Sequence, residues 1–309
     1  MVKYENEIYT LIDEKFISQF DDHHKQFMKR IYYNHYSTFC DRIGCTKASY
    51  DSFFSNMHRR RIYLTQQCCP YCGTIRMFLH DKRIHKNEGS LVYCGTCGRS
   101  STSYTLFKHL SRFIRISGIV DDGLKSERKR YKDKEDWLLG FDCYQMELVE
   151  LASIIEAVCR ESFYALLFIK NMNLKNSFIK KAISKSVGND FMNIEKANNH
   201  FKKAFDIDLK REIEGNVWDD LIDIVNLRNM MIHNNGRIDE FFKNTVSYNR
   251  LKSYVDDWMF RLDGKMVMNY FGSVMSAMET IIKVYLEQYF DYRNAAIANY
   301  YFNNSIINE

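Results

Sequence analysis

The chain has 309 residues, of which 27% are charged and 46% hydrophobic, a composition typical of a folded globular protein rather than a disordered one. Its 13 glycines and single proline make helix breakers scarce, which predicts a mainly α fold and argues against collagen-like, linker-rich and β-sandwich or β-barrel architectures. Residues 1–136 hold 24 Lys and Arg against 16 Asp and Glu, and residues 137–309 hold 20 against 23, so attraction for nucleic acid is expected mainly in the first part.

Residues 1–65 are predicted to form an N-terminal helical segment. The apolar residues that recur there at helical spacing are Ile8, Leu11, Ile12, Phe16, Phe27 and Ile31. The first 20 residues lack the continuous apolar run of a secretory signal, and no later stretch is apolar enough to predict a membrane-spanning helix. We therefore expect a cytoplasmic protein with no membrane partner.

Residues 66–120 are predicted to form a zinc ribbon and a following helix. They contain two Cys-x-x-Cys pairs, Cys69/Cys72 and Cys94/Cys97, with 21 residues between the pairs. A glycine follows each pair, and glycine permits the positive-φ turn of a zinc knuckle. Four thiolates are suited to tetrahedral zinc, and a site whose four positions are all filled by protein is structural rather than catalytic. The predicted cofactor is therefore a structural zinc ion.

The cysteines allow other interpretations. Redox-active Cys-x-x-Cys pairs are usually found near a βαβ pattern, and this sequence has no such pattern. Cys68 could replace Cys69 as a metal ligand, but the Cys-x-x-Cys spacing to Cys72 favours Cys69. Five of the nine cysteines lie outside the pairs, which favours a reducing cytoplasm over a disulfide framework. The strand candidates Ile75–Leu79 and Leu91–Tyr93 would form a hairpin between the knuckles, and DNA, RNA and protein all stay open as partners of the ribbon.

Residues 121–136 are almost wholly charged and are predicted to be a solvated linker, or a helix extension, at a domain boundary. Residues 137–309 are predicted to form a helical domain. Its first helix has apolar residues spaced alternately by three and four between Phe141 and Val158. The other candidate helices are Phe191–Phe205, Val217–His233, Val246–Leu262 and Met266–Phe290. The Met and aromatic residues of the last one are expected to pack in the core or at a dimer interface.

An Arg-x4-His motif, from Arg228 to His233, lies late in one of these helices. A helical wheel places Arg228 in the middle of an apolar face that includes Ile232, with Asn229 and His233 at its border. A buried Arg needs a partner, since an unpaired buried charge is costly. A core ion pair with a carboxylate and a functional role are both open at this point. The Asn-Asn-Gly sequence that ends at Gly236 predicts the end of the helix.

The sequence of Arg228, Asn229 and His233 near the end of a helix resembles the motif of the HEPN superfamily, which is an Arg, a polar residue, a few variable positions and a His. The resemblance covers residues 137–309 and implies a HEPN-like helical bundle. A second pair, Arg30 and His35, has an isoleucine at the polar position and does not fit the motif. An N-terminal zinc ribbon joined to such a domain resembles prokaryotic defence ribonucleases.

The resemblance implies a metal-independent endoribonuclease that cleaves RNA by 2′-OH attack, leaves a 2′,3′-cyclic phosphate and works as a homodimer. His233 would act as general acid or base, Arg228 would stabilise transition-state charge, and Asn229 would orient His233 or a phosphate. The protein would be a toxin or an abortive-infection effector in antiviral defence, controlled by a regulatory or antitoxin protein. The alternative is a non-catalytic adaptor or nucleic-acid-binding protein that uses the zinc ribbon and the basic first part.

Overall fold

The structure is a computed structural model that describes residues 44–60, 62–81, 94, 96–130, 137–170 and 177–307. Between residues 22 and 41 it describes positions 22, 26, 29, 30, 33, 34, 36, 37, 40 and 41. The apolar positions predicted between residues 8 and 31, the strand candidate Leu91–Tyr93 and linker residues 131–136 lie outside this described part. Within it, no helix has both the length and the apolar character needed to cross a membrane.

The protein is mainly α-helical, as its composition predicts. Its helices are α1 (Tyr50–Arg60), α2 (Thr102–Arg130), α3 (Trp137–Lys170), α4 (Ser177–Val187), α5 (Ile194–Phe205), α6 (Leu209–Glu212), α7 (Gly215–Asn234), α8 (Glu240–Lys243), α9 (Val246–Leu251) and α10 (Gly264–Ile307). Its strands are β1 (Ile62–Cys68), β2 (Ile75–Asp81), β3 (Val255–Asp256) and β4 (Met259–Phe260). Short 3-10 turns occupy Asp190–Met192 and Lys252–Tyr254.

The chain divides into two compact units. The ribbon unit consists of residues 1–101, 168–170 and 286–309, and the helical unit consists of residues 102–167 and 171–285. The predicted boundary at residues 121–136 is wrong, because the division falls just before α2 and all of α2 belongs to the helical unit. Helix α2 runs on through the charged residues to Arg130, so this part of the predicted linker is a helix extension. Its last residues are all basic, which suits the negative end of the helix dipole.

In the ribbon unit, β1 and β2 form an antiparallel hairpin with Cys68 opposite Ile75. The predicted strand at Ile75–Leu79 is confirmed, but its described partner is β1 rather than Leu91–Tyr93. Because β1 begins at Ile62, the last part of the predicted helical segment is a strand. Aromatic and β-branched residues such as Tyr63 and Thr65 favour extended backbone there.

Long apolar helices build the core of the helical unit. On α3, Leu148, Leu151 and Ile155 are almost fully buried, which confirms the apolar face predicted for this helix. Farther along α3, Phe163 contacts an aromatic cluster that contains Phe191, Phe201 and Phe205. On α10, the buried residues include Met266, Tyr270 and Met278, so these predicted packing residues belong to the core.

The predicted helix Val246–Leu262 is wrong in its second half. Helix α9 ends at Leu251, and a 3-10 turn leads into the hairpin of β3 and β4. Asp257 in the hairpin turn has a φ of 52°, a left-handed conformation that Asp adopts more readily than most residues. The Trp-Met-Phe sequence after this Asp favours a strand over a helix.

Candidate functional site

Four cysteines of the ribbon unit form the first candidate site. The sulfur atoms of Cys69, Cys72, Cys94 and Cys97 all lie within 4.8 Å of one another. The Sγ atoms of Cys69 and Cys97 are 3.7 Å apart, and those of Cys72 and Cys94 are 3.6 Å apart. Zinc–sulfur bonds of about 2.3 Å place tetrahedral sulfurs about 3.8 Å from each other, so these spacings fit a bound zinc ion. The group could hold a metal ion, as the sequence predicts.

The two Cys-x-x-Cys turns share one backbone design. The N–H of Gly73 donates to the carbonyl of Cys69 at 2.8 Å, and the N–H of Gly98 donates to the carbonyl of Cys94 at 2.6 Å. Gly73 has a φ of +71° and Gly98 one of +72°, so the positive-φ turns predicted after each pair are confirmed. A residue with a Cβ would be strained in this conformation, which explains the choice of glycine.

Cys68 is next to the metal-binding group but outside it. Its side chain is fully buried, and its Sγ lies 3.6 Å from the carbonyl oxygen of Gly73. Burial raises the pKa of its thiol. The hydroxyl of Tyr289 donates to the carbonyl of Cys68 at 2.8 Å, which anchors the end of β1 in the ribbon unit. The prediction that Cys69 rather than Cys68 belongs to the metal group therefore agrees with the structure.

An aromatic contact links the two turns of the cysteine group. The guanidinium of Arg99, just after the second turn, lies 4.5 Å from the ring centre of Tyr71 in the first turn. Tyr71 also packs edge-on against Phe168 with ring centres 5.4 Å apart. Because a cation over an aromatic face is attracted to it, Arg99 helps to hold the turns together.

The Arg-x4-His motif lies in the last turns of α7 and forms the second candidate site. The predicted helix Val217–His233 is confirmed to within two residues at each end. Asn235 has a φ of 53° and Gly236 one of 78°, so two consecutive left-handed residues end the helix. This helix stop is the one predicted from Asn-Asn-Gly, and it leaves His233 in the final turn.

Arg228 is half-buried rather than enclosed in an apolar core. Its Nη1 donates to the Oδ1 of Asn229 at 3.0 Å. Among the residues that the structure describes, no carboxylate lies within ion-pair distance of Arg228. The core ion pair considered from sequence is therefore not found there. Asn229 accepts this hydrogen bond from Arg228, and its role toward His233 or a phosphate stays a prediction.

His233 is exposed on the same last turn. In the described part of the chain its imidazole has no hydrogen-bond or ion-pair partner, so neither Arg228 nor Asn229 is bonded to it. Ile232, predicted to lie on the apolar face, is 43% exposed. The wheel is wrong here because α7 emerges from the core at its last turn, and the same emergence exposes His233 to solvent.

Residues that follow the motif fix the end of α7. Asn234 donates to the Oδ2 of Asp239, and the Oδ1 of Asp239 accepts from the N–H of Phe242 at 2.7 Å. Asp239 thereby caps α8 and holds the chain that follows His233. Our sequence analysis missed Asp239, although an Asp just before a short helical run is a typical N-cap signal.

Comparison with known proteins adds no relative. No family model, no curated protein and no solved structure shows significant similarity to this chain. The resemblance to the HEPN superfamily therefore rests on the three motif residues and on a helical domain.

Proposed function

We propose that the protein is a metal-independent endoribonuclease of the HEPN type, acting in the cytoplasm as a toxin or abortive-infection effector. The proposal rests on the burial and the contacts of Arg228 and His233 on α7. Arg228 is half-buried and has no carboxylate partner in the described part of the chain, and His233 is exposed five residues further on, in the last turn of α7. A guanidinium held by a neighbour and an accessible imidazole are groups suited to phosphodiester cleavage in RNA.

In the proposed reaction, the imidazole of His233 takes the proton of a ribose 2′-OH. The 2′-oxygen attacks the adjacent phosphorus, the bond to the 5′-oxygen breaks, and that oxygen takes a proton from an acid. The products are a 2′,3′-cyclic phosphate and a free 5′-OH. Arg228, held by Asn229, stabilises the negative charge that develops on the phosphorus-bound oxygens. A homodimer supplies the second imidazole, which serves as the acid.

We also propose that the cysteine group holds a structural zinc ion. The four thiolates would fill all four tetrahedral positions, so the ion would stabilise the ribbon unit and take no part in cleavage. Its two turns are already closed by matching backbone hydrogen bonds, as expected for zinc knuckles. RNA and a regulatory or antitoxin protein are the proposed partners of the whole chain.

The decisive experiment incubates the purified protein with single-stranded RNA in excess EDTA. Cleavage should continue, and it should fall by at least about 100-fold in both Arg228→Ala and His233→Ala, because a general base and a donor that stabilises transition-state charge each contribute about that much or more. Arg211→Ala is the matched control, since Arg211 is an exposed arginine whose side chain pairs with the neighbouring carboxylate of Asp208. Replacing the attacking ribose by 2′-deoxyribose should abolish cleavage.

One outcome would favour the non-catalytic alternative. The excess of basic residues in the first part of the chain supports nucleic-acid binding without cleavage. RNA that binds tightly, stays intact under every condition and binds Arg228→Ala equally well would show that the protein is an adaptor. Light scattering after gel filtration tests the proposed homodimer in the same preparation.

A further inference from the structure

A charged cluster outside the motif joins two helices of the helical unit. The carboxylate of Glu150 on α3 is only 3% exposed, and its Oε1 lies 3.2 Å from the Nδ1 of His109 on α2. Its Oε2 lies 3.2 Å from the Nε of Arg112, one turn further along α2. Both oxygens of a buried carboxylate are thus used to hold two basic side chains on one face of α2.

Arg112 is placed to bind a further anion. Glu150 contacts only its Nε, and the side chain is 62% exposed. In the part of the chain that the structure describes, no other partner contacts Arg112, so its two Nη groups remain available as donors. A guanidinium with two free donors binds phosphate in a fixed geometry, which a lysine cannot do. His109 supports this arrangement from behind by bonding to Glu150.

Arg112 and Glu150 line a groove of about 570 Å³ between α2 and α3. This volume lies within the usual range of small-ligand sites. Beside the cation, the groove offers the amides of Gln145 and Asn235 and an apolar surface from side chains such as Ile119 and Met146. Ile119 is 71% exposed and Met146 is 54% exposed, so the apolar surface is open to a ligand.

The groove starts at the end of the motif helix. Asn235, which lines it, is two residues after His233 and forms the stop of α7. Gln145, which also lines it, donates to the carbonyl of Met231 on α7 at 3.5 Å. The groove therefore lies next to the end of the helix that carries His233.

We propose that this groove binds a nucleotide of the single-stranded RNA substrate next to the cleaved bond. Arg112 contacts its phosphate, the apolar side chains pack against its base, and the two amides bond to the polar edge of the base. Asp142, the other acidic residue of the lining, is exposed to solvent, which screens its repulsion of a phosphate. This inference rests on the proposed ribonuclease function and assigns part of its substrate site.

The test measures binding of fluorescein-labelled single-stranded RNA by anisotropy, with the full chain carrying His233→Ala so that the RNA stays intact. Arg112→Ala should weaken binding about 10-fold, the usual loss for a charged hydrogen-bonding group. It should also make the salt dependence of log K less steep by about 0.7, the contribution of one phosphate contact in a single strand. Met146→Ala should weaken binding with an unchanged salt slope.

Arg115→Ala is the matched control, since Arg115 is exposed on the same helix, has the same charge and is outside the groove. It should change the affinity by less than about 2-fold. Thermal melting must show that Arg112→Ala is folded. We expect a folded chain with a lower melting temperature, because the buried carboxylate of Glu150 loses Arg112 but keeps its contact with His109. If Arg112→Ala and Arg115→Ala bind RNA equally well, the groove is not a nucleotide site. The same conclusion follows if Arg112→Ala changes the oligomeric state of the protein without changing its affinity for RNA.

The two proposals fail separately. Cleavage that depends on Arg228 and His233, together with normal RNA binding by Arg112→Ala, would overturn the groove alone. Absent cleavage, together with weaker RNA binding by Arg112→Ala, would overturn the ribonuclease and support the groove as a nucleotide site. In the active chain, Arg112→Ala should raise KM and leave kcat nearly unchanged, whereas loss of a motif residue lowers kcat.

Discussion

Replacing Gly236 by alanine tests how the motif helix ends. Gly236 has a φ of 78°, and an alanine in the left-handed region costs about 1–2 kcal/mol. The added Cβ would overlap the Cζ atom of Phe141 and would lie 3.1 and 3.3 Å from two further atoms of that ring. Phe141 is only 5% exposed, so its ring cannot yield without disturbing the core, and such overpacking costs about 1–3 kcal/mol. We expect Gly236→Ala to lose about 2–5 kcal/mol of unfolding free energy.

Urea unfolding followed by circular dichroism measures this loss. Gly215→Ala is the control, because Gly215 begins the same helix and an added Cβ there would meet nothing within 4 Å. It should leave stability unchanged or raise it by up to about 1 kcal/mol. Adding Phe141→Leu to Gly236→Ala should recover the part of the lost unfolding free energy that comes from the overlap with the ring. The part that comes from backbone strain at residue 236 should remain. Wild-type stability in Gly236→Ala would refute the close packing of this helix end against α3.

Three further predictions concern stability and metal binding. Arg250→Ala should cost about 3–5 kcal/mol in urea unfolding, because it leaves the carboxylate of Asp223, which is 3% exposed, without its two-pronged partner; an unchanged midpoint would contradict this. Burial raises the pKa of Glu147, so its ionisation destabilises the fold as the pH rises from the unfolded-state pKa to the folded-state value. Glu147→Gln should therefore be more stable than wild type at neutral pH, and its stability should change less with pH across that interval. Thermal melting at a series of pH values measures both effects. Cys97→Ser should lose the one metal ion per chain that we expect by native mass spectrometry and should melt at a lower temperature, whereas Cys45→Ser, outside the group, should keep both properties.

The features that the sequence predicted correctly depend on local chemistry. Two Cys-x-x-Cys turns with a following glycine specify their own backbone hydrogen bonds, so spacing alone located the group from Cys69 to Cys97. The stop after His233 is equally local, since Asn235 and Gly236 tolerate left-handed backbone. The long apolar face of α3 was visible because a helix buried along one side repeats its apolar residues with the helical period.

The features that were missed depend on contacts between distant parts of the chain. Strand β1 needs β2 to pair with it, and nothing in the sequence near Ile62 names that partner. Leu251, Val255, Trp258 and Leu262 lie at helical spacing across the hairpin of β3 and β4, so the periodicity did not show where α9 ends. The wheel of α7 gave the side of the helix on which Arg228 lies, but not that the helix leaves the core at its last turn.

The position of α2 changes how the charge of the chain bears on function. Counted by sequence, the basic excess lies in the first part of the chain and favours the zinc ribbon as the surface that meets nucleic acid. The structure assigns α2 to the helical unit, and its exposed cations, including Arg112, Arg115 and Arg128, belong to the unit that carries Arg228 and His233. Counted by unit, the helical unit holds 27 Lys and Arg against 26 Asp and Glu and the ribbon unit 17 against 13, so most of the basic excess stays with the ribbon unit. The local position of Arg112, in the unit that carries Arg228 and His233, and not the net charge of that unit, is therefore what links α2 to the proposed cleavage site.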